Sequence, residues 1–344
     1  MRCLLAQTRP PKQIIVIDAS QNADQHRHVL DSMLAGTGIN LVFQSAVARS
    51  SAAQRNQGLS SVTADVVVFI DDDSLLFPDC AEKFMSVFEN DREQKIAGLA
   101  LNTVASLPAA AIDYFMKETK PGNSSAAIER KKGGTAENAS LLKYLEQFRF
   151  WRFFRREILM QAKDRMFIPY DRYRDRAHDR EGNNNAVLVG YLPGCGMVVR
   201  TNIARIEKFN SFLCAYCPGE DLDASYRYGR HGLCIFAPDA RLNHYEAAGS
   251  RIARMQATSL GISNVALFVH TNSDSPIRHR ASFAIYLGRR LIGEFLKDLL
   301  ARRFSFPQAR GVLLAIPRSY GIFRRSLPDA QQWYLEQQRV FLGR

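Results

Sequence analysis

The chain's 344 residues, 46% hydrophobic and 23% charged, can build one large or two modest domains around a real core, and they exclude a disordered or collagen-like class. Forty-six Lys and Arg against 34 Asp and Glu leave a formal net charge of +12, which favours an anionic partner: a nucleotide, a membrane surface or nucleic acid. Six cysteines in so long a chain do not make a disulfide scaffold and fit a reducing cytosol, and no apolar run approaches the ~20 residues that span a bilayer.

Met1 to Ala6 is too short and too soon polar for a secretory signal, so a cytoplasmic protein, soluble or peripheral on a membrane, is expected. Gln13-Ile14-Ile15-Val16-Ile17 reads as a strand that ends in the polar turn Asp18-Ala19-Ser20. Residues 24–35 carry helical spacing through Val29, Met33 and Leu34. Asn40-Leu41-Val42-Phe43 is a second strand. Ser50 to Val62 reads as a helix with Ala52, Ala53, Leu59 and Val62 on its apolar side; it carries Arg55 and Asn56, and Arg49 lies just before it.

Val66-Val67-Val68-Phe69-Ile70 reads as a strand buried on both faces, and it ends in Asp71-Asp72-Asp73. Three like charges at a strand end repel unless a cation or hydrogen-bond donors absorb them. Ligands of open α/β sheets bind at the carboxyl ends of strands. One reading is therefore a divalent-metal site holding a phosphate-bearing ligand. The other is a solvated turn in which Asp73 or Ser74 caps the helix after Pro78. Three strands alternating with helices predict a doubly wound, mostly parallel sheet with helices on both faces.

Pro78 to Phe88 reads as a helix and Ile96 to Leu101 as a strand. Residues 119–140, rich in Gly, Ser, Asn and Lys, read as a loop. Residues 141–166 mix Phe148, Phe150, Trp151, Phe153 and Phe154 with Arg149, Arg152, Arg155 and Arg156. That mixture fits a packed helix with a solvated basic side, an amphipathic helix facing a membrane or acidic partner, or a stacking surface for single-stranded nucleic acid. Residues 171–185 are charged and turn-rich. Val187 to Leu192 and the stretch Pro193-Gly194-Cys195-Gly196-Met197-Val198-Val199-Arg200 restore order, with two glycines allowing close backbone approach or a tight turn. Cys214 and Cys217 are spaced as a zinc half-site, with Cys195 and Cys234 as distant partners.

Pro218-Gly219-Glu220-Asp221-Leu222-Asp223 opens a helix with acids placed to suit its dipole. Cys234 to Pro238 is a strand, and Leu242-Asn243-His244-Tyr245-Glu246 sets a histidine just beyond another. Residues 250–344 hold no chemical motif. Ala281 to Leu300 is a long helical pattern whose apolar and basic residues can lie on an anionic bilayer or pack on the domain.

Taken together, Ile15-Val16-Ile17-Asp18 with Ser20, Arg49, Arg55-Asn56, Phe69-Ile70-Asp71-Asp72-Asp73, Gly194-Cys195-Gly196-Met197 to Arg200, and Gly219-Glu220-Asp221 followed by His244 resemble the family 2 glycosyltransferases of GT-A fold, over about residues 1–250. The resemblance implies a GT-A-like catalytic domain over 1–248. Within it, 1–105 would hold the nucleotide-sugar and 186–248 the acceptor and base, with an insertion at 119–185. A helical basic region would follow over 249–344. A nucleotide-sugar is implied at Asp18, Ser20, Arg49, Arg55, Asn56, Asp71 and Asp72. A magnesium or manganese ion is implied at Asp73, Asp71 and His244. Asp221 is implied as general base, with Glu220 an accessory acid, and Gly194, Cys195, Gly196 and Glu220 would border the acceptor. An acid partly buried beside Glu220 is expected to have a raised pKa.

The activity so implied is metal-dependent sugar transfer from a nucleotide-diphosphate-sugar to an acceptor hydroxyl, with inversion. The acceptor is expected to be lipid-linked or a polysaccharide of a bacterial cell surface, with peripheral contact to an anionic membrane and no nucleic-acid partner. The chain departs from the family's pattern at Ala19, where a second polar residue is frequent, and at its start. A strand expected ahead of the helix ending near Gln7 is absent, through a start further upstream or the loss of that strand and part of the nucleotide pocket. Three rivals stand beside this reading. A haloacid-dehalogenase-like phosphatase also uses a strand followed by Asp-x-Asp, though on its first strand. A basic nucleic-acid-binding protein would leave the carboxylates unexplained. A degenerate glycosyltransferase fold could act only as a binding partner.

Overall fold

The computed structural model describes residues 1–112, 148–154, 187–214, 218–245 and 252–343. In chain order the amino-terminal elements are α1 (Arg2–Leu5), β1 (Gln13–Asp18), α2 (Ala23–Leu34), β2 (Asn40–Ser45), α3 (Ser51–Ser60), β3 (Val66–Phe69), β4 (Ser74–Leu76), α4 (Cys80–Asn90) and β5 (Ile96–Thr103). After them come α5 (Arg149–Phe153), β6 (Val187–Leu188), β7 (Met197–Arg200), α6 (Thr201–Ile206), α7 (Glu220–Tyr228) and β8 (Leu233–His244). Four helices close the chain: α8 (Arg254–Asn272), α9 (Pro276–Leu300), α10 (Pro307–Phe323) and α11 (Leu327–Leu342). The α/β class and the helical carboxyl-terminal region are as expected.

Local chemistry sets several of these boundaries. The Ser50 hydroxyl accepts from the Ala53 N–H and starts α3. Gly219, at φ +84°, takes a left-handed conformation that releases the chain into α7. Prolines in the first turns of α9, α10 and α11 sit where a missing N–H costs nothing.

β1 and β2 pair in parallel as a separate two-stranded ladder. The larger sheet has the order β3-β7-β5-β8-β4, with β6 also on β8. β5 and β8 run parallel, while β7 is antiparallel to both β3 and β5. Hence β3, β5 and β8 share one direction and β7 is inserted against them. The expected mostly parallel sheet is corrected accordingly, since β4 and β6 are also antiparallel to β8. An apolar run such as Met197-Val198-Val199 records burial and carries no sign of strand direction. Nor are β1 and β3 ladder neighbours; α3 ties them, its Gln54 Nε2 donating to the Ile17 carbonyl at 2.9 Å.

The strand expected at 234–238 and the second one expected to end just before His244 are one strand, β8, which includes His244 and whose pairing with β5 slips between Ala237 and Arg241. Pro238 lies in that slip, where the lack of an N–H is tolerated. Of the strand expected over 187–192 only Val187 and Leu188 pair. The loop at 119–140 and the charged segment at 171–185 lie outside the described residues, as does most of the stretch 141–166, of which 149–153 is helical. Residues 246 to 248 lie outside them too.

Alternating residues of the central strands feed two cores. Ala97, Ala100, Met197, Val199 and Cys234 face a cluster with α3, α7 and the carboxyl-terminal helices, in which Phe209, Tyr228, Phe268, Phe283 and Tyr334 are buried. Ile96, Leu99, Leu101, Val198 and Ile235 face Cys80, Phe84 and Phe88 of α4. Period-two alternation in strands buried on both sides produces this split, and it places helices on both faces.

Candidate active site

Ladder register assembles the site. Phe69 at the end of β3 pairs with Met197 at the start of β7, so the turn Asp71–Asp73 and the loop 193–196 meet at one sheet edge. β4 then folds back and pairs Ser74 with His244. That register sets the His244 imidazole against the acidic turn. His244 Nε2 lies 3.1 Å from Asp73 Oδ1 and 3.9 Å from Asp71 Oδ2. One donor atom from each of Asp71, Asp73 and His244 falls within 4.8 Å of the others. Two carboxylates and an imidazole are a donor set that suits Mn²⁺ and accommodates Mg²⁺. The neighbouring residues fit the same role: Ser74 Oγ donates to the Cys195 carbonyl at 2.7 Å and fixes the turn against the glycine loop.

Asp71 also faces inward. Its Oδ1 accepts from Arg55 Nη2 at 2.9 Å, leaving Oδ2 toward His244. The Arg55 guanidinium is nearly buried, stacks over the Phe209 ring at 5.3 Å, and donates through Nη1 to Glu220 Oε1 at 2.7 Å and through Nη2 to the Gly194 carbonyl at 3.2 Å. Arg55 is thus the clamp between the acidic turn and the start of α7. Gly194 leaves room for these groups: a Cβ would stand 2.9 Å from Arg55 Nη2 and 3.3 Å from Asp221 Oδ2, so a larger residue would have to displace the clamp. A Cβ on Gly196 would meet Leu242 Cδ2 at 2.2 Å, so that glycine serves packing beneath the loop.

Asp221 is oriented from three sides. Its Oδ2 accepts from the Tyr191 hydroxyl at 2.8 Å and from the Gly194 N–H at 3.0 Å, and its Oδ1 accepts from the Leu222 N–H at 2.9 Å. Burial first, then the charge of Asp221, hold the Tyr191 phenol far above its usual range, so it stays a donor. Burial, reinforced by the charge of Asp221 and opposed by Arg55, pushes the Glu220 carboxyl up from 4.5 to about 8. The raised carboxyl was expected on the acid beside Glu220; the structure raises Glu220 itself.

The Glu220 shift has a measurable sign. Between 4.5 and about 8 the folded carboxyl holds a proton that the unfolded chain has lost, so stability falls as pH rises through that window. Glu220→Gln should remove a slope of up to about 1.4 kcal/mol per pH unit. Urea midpoints of the metal-free protein and the variant at pH 5.5 and 7.5 check this, and parallel behaviour of the two would refute it.

The remaining sequence candidates lie further out. Asp18 ends β1; partial burial raises its carboxyl, but the Ser20 N–H at 2.6 Å and His26 Nδ1 at 2.8 Å outweigh that and hold it below its usual value. Asn56 is a brace, accepting from the Phe209 N–H at 2.9 Å and donating to the Phe209 carbonyl at 2.8 Å. Arg49 and Asp72 are both exposed. Cys217 of the zinc half-site lies outside the described residues, and among the described residues no cysteine joins a metal-ligand cluster. Tyr191, Phe209 and His26 were not singled out from sequence, and Ser74 was read only as a helix cap, a place that Asp79 takes instead. Only Tyr191 had a local cue, its place just ahead of the glycine loop.

Residues 1–161 match the family model described as glycosyl transferase family 2. This segment belongs to the family 2 glycosyltransferases. Asp18, Arg55 and Asp71–Asp73 all fall inside that glycosyltransferase segment, whereas Glu220, Asp221 and His244 come to it from later in the chain. No curated protein matches the chain. Among solved structures it is similar to GalNAc-T7 with UDP, GalNAc and Mn²⁺ (14% identity, TM-score 0.46), covering 77% of this chain and 43% of that one. It is also similar to S. aureus TarS 1-349 (13%, TM-score 0.45), with 98% and 83% covered. A mannosyltransferase from Pyrobaculum calidifontis in complex with GDP-Man and Mn²⁺ (11%, TM-score 0.44) has 92% and 80% covered. The chain therefore spans less than half the length of the first of these and most of the other two.

Proposed function

We propose that this chain is an inverting glycosyltransferase that moves a sugar from a nucleotide-diphosphate-sugar to an acceptor hydroxyl, with residues 1–248 as its catalytic part. The observation that carries this reading is one unbroken chain of contacts from Asp221 through Gly194, Arg55 and Asp71 to His244 and Asp73. Asp71, Asp73 and His244 are the residues that would hold Mg²⁺ or Mn²⁺, which supplies positive charge to a leaving diphosphate without protonating it. Arg55 holds Asp71 in position. Asp18, with Ser20, is placed for the nucleoside and Asp72 for the donor's surface side. Asp221, held by Tyr191 and Gly194, takes the proton from the attacking hydroxyl, and Glu220 beside it contacts the acceptor. Base and leaving group then lie on opposite faces of the sugar, the geometry of a single inverting displacement.

The acceptor we infer is lipid-linked or a polysaccharide of a bacterial surface, met at an anionic membrane. Among the described residues no helix is long and apolar enough to cross a membrane.

The test is a thermal-shift screen of nucleotide-sugars with and without Mn²⁺. A donor at about a hundred times its Kd should add about 2.7 kcal/mol of apparent stability, and only when metal is present. Asp73→Ala should abolish the metal-dependent part while leaving the unliganded melting temperature nearly unchanged, since its carboxylate is part-exposed at a turn. If no nucleotide-sugar gives a metal-dependent shift, the reading fails. Steady release of phosphate from simple phosphoesters would point to the phosphatase, and steeply salt-dependent nucleic-acid binding to the other rival.

A further inference from the structure

Helix α9 carries apolar residues on both sides. Its inner side buries Phe283 and Tyr286 together with His279, Glu294 and Asp298. Its outer side shows Ile277, Ile285, Ile292, Phe295 and Leu299, exposed by 43% to 89%. At 3.6 residues per turn these five fall on one face. Ala281, Ala284 and Gly288 fill the same face and are exposed. No charge interrupts it along the 25 residues of the helix. The turn into α10 continues the pattern, with Leu300 and Phe304 exposed by 67% and 70%.

The internal acids are held by neighbours, although the buried Asp298 Oδ1 accepts no hydrogen bond from the described residues. Glu294 takes Arg290 at 2.7 Å and Lys297 at 3.1 Å, and Asp298 Oδ2 accepts the Gln308 and Ala309 N–H groups at the start of α10. In water the charged side of an amphipathic helix faces out. Here the outer side is apolar as well.

The surrounding charge selects what meets that side. Residues 276–325 contain eleven Lys or Arg and only two acids, Glu294 and Asp298, both buried. Arg302 in the α9–α10 turn, Arg310 in the first turns of α10 and Arg324 at its end are exposed. A second copy of the chain would press like-charged borders together, and a neutral apolar partner would leave them unanswered. Phosphate headgroups answer both the apolar strip and its basic border.

We propose that the outer face of α9, with the α9–α10 turn, lies in the headgroup boundary of an anionic bilayer: Leu300 and Phe304 enter the acyl margin, and Arg302, Arg310 and Arg324 meet lipid phosphates. This deepens the membrane contact proposed above and is separable from the transfer chemistry.

Flotation of the full chain with vesicles tests it. Phosphatidylcholine containing about 30% phosphatidylglycerol should bind the protein far better than phosphatidylcholine alone, by about fivefold for each arginine that engages. High salt should release it. Leu300→Ser with Phe304→Ser changes only exposed side chains and should lose at least about tenfold in partitioning at an unchanged melting temperature. Arg302→Glu with Arg310→Glu should lose the preference for anionic lipid and serves as the second variant. Equal binding to neutral vesicles, no binding, or a concentration-dependent dimer that the serine pair dissolves would overturn the proposal. The donor thermal shift, measured on the same protein, separates the two readings: lost vesicle binding with an intact shift sinks the docking alone, and the reverse sinks the transferase.

Discussion

Asp221→Asn should lower kcat by about 10² to 10⁴-fold, the usual worth of a positioned general base, with the donor's KM and its metal-dependent thermal shift retained. A hydroxyl is a poor nucleophile until a base takes its proton during attack, and an amide cannot do so. The substitution also tests the geometry. The Tyr191 hydroxyl and the Gly194 N–H both donate to Oδ2, so the amide must place its oxygen there. Its NH₂ then faces the Leu222 N–H that Oδ1 now accepts. One hydrogen bond is lost, at a cost of about 1 kcal/mol, too little to unfold the chain. A fall in kcat and in kcat/KM together marks an interaction made only in the transition state. Near-normal turnover with donor binding intact would remove Asp221 from the base's role. Tyr191→Phe is the companion: it leaves the carboxylate but frees its orientation, so a smaller loss of kcat is expected, with the carboxylate still able to act.

How much of this was legible in the sequence depends on range. The strand ending in Asp71–Asp73 and the acidic start of α7 were readable because burial and helix starts are written in consecutive residues. His244 was read as lying just beyond a strand end, and it is in fact the last paired residue of β8. Its seat beside Asp73 was not readable, since that follows from the β4–β8 pairing of Ser74 with His244 across some 170 residues. The antiparallel insertion of β7 was hidden for the same reason, because hydrophobic alternation is blind to direction. Arg55 could be singled out beside Asn56, but their division of labour could not: one clamps three groups of the site and the other braces the Phe209 backbone. α9 shows the reverse case. Its mixed apolar and basic pattern was visible, but only the packing of Glu294 and Asp298 against α10 reveals which side faces out.

Above pH 8, where Glu220 is ionised, Arg55→Met should be the most destabilising single change in the site, at about 3–5 kcal/mol, because it leaves the buried Glu220 carboxylate without its partner and removes little hydrophobic volume. Both Glu220 and Arg55 keep only 12% side-chain exposure, so water cannot replace the lost partner. Glu220, already held near 8 by burial against the pull of Arg55, should then titrate higher still, and the variant should be most stable at low pH. Arg55→Lys should recover only part of the loss, because a single ammonium cannot serve Glu220 and Asp71 from opposite nitrogens as the guanidinium does. The decisive comparison is the double variant Arg55→Met with Glu220→Gln, whose neutral pair has no stranded charge at that position. It should regain well over half of the single variant's deficit, a coupling of about 2 kcal/mol or more in urea denaturation. If Arg55→Met instead costs under about 1 kcal/mol, the guanidinium is solvated in solution. The carboxylates it joins would then have to be held apart by something other than this clamp.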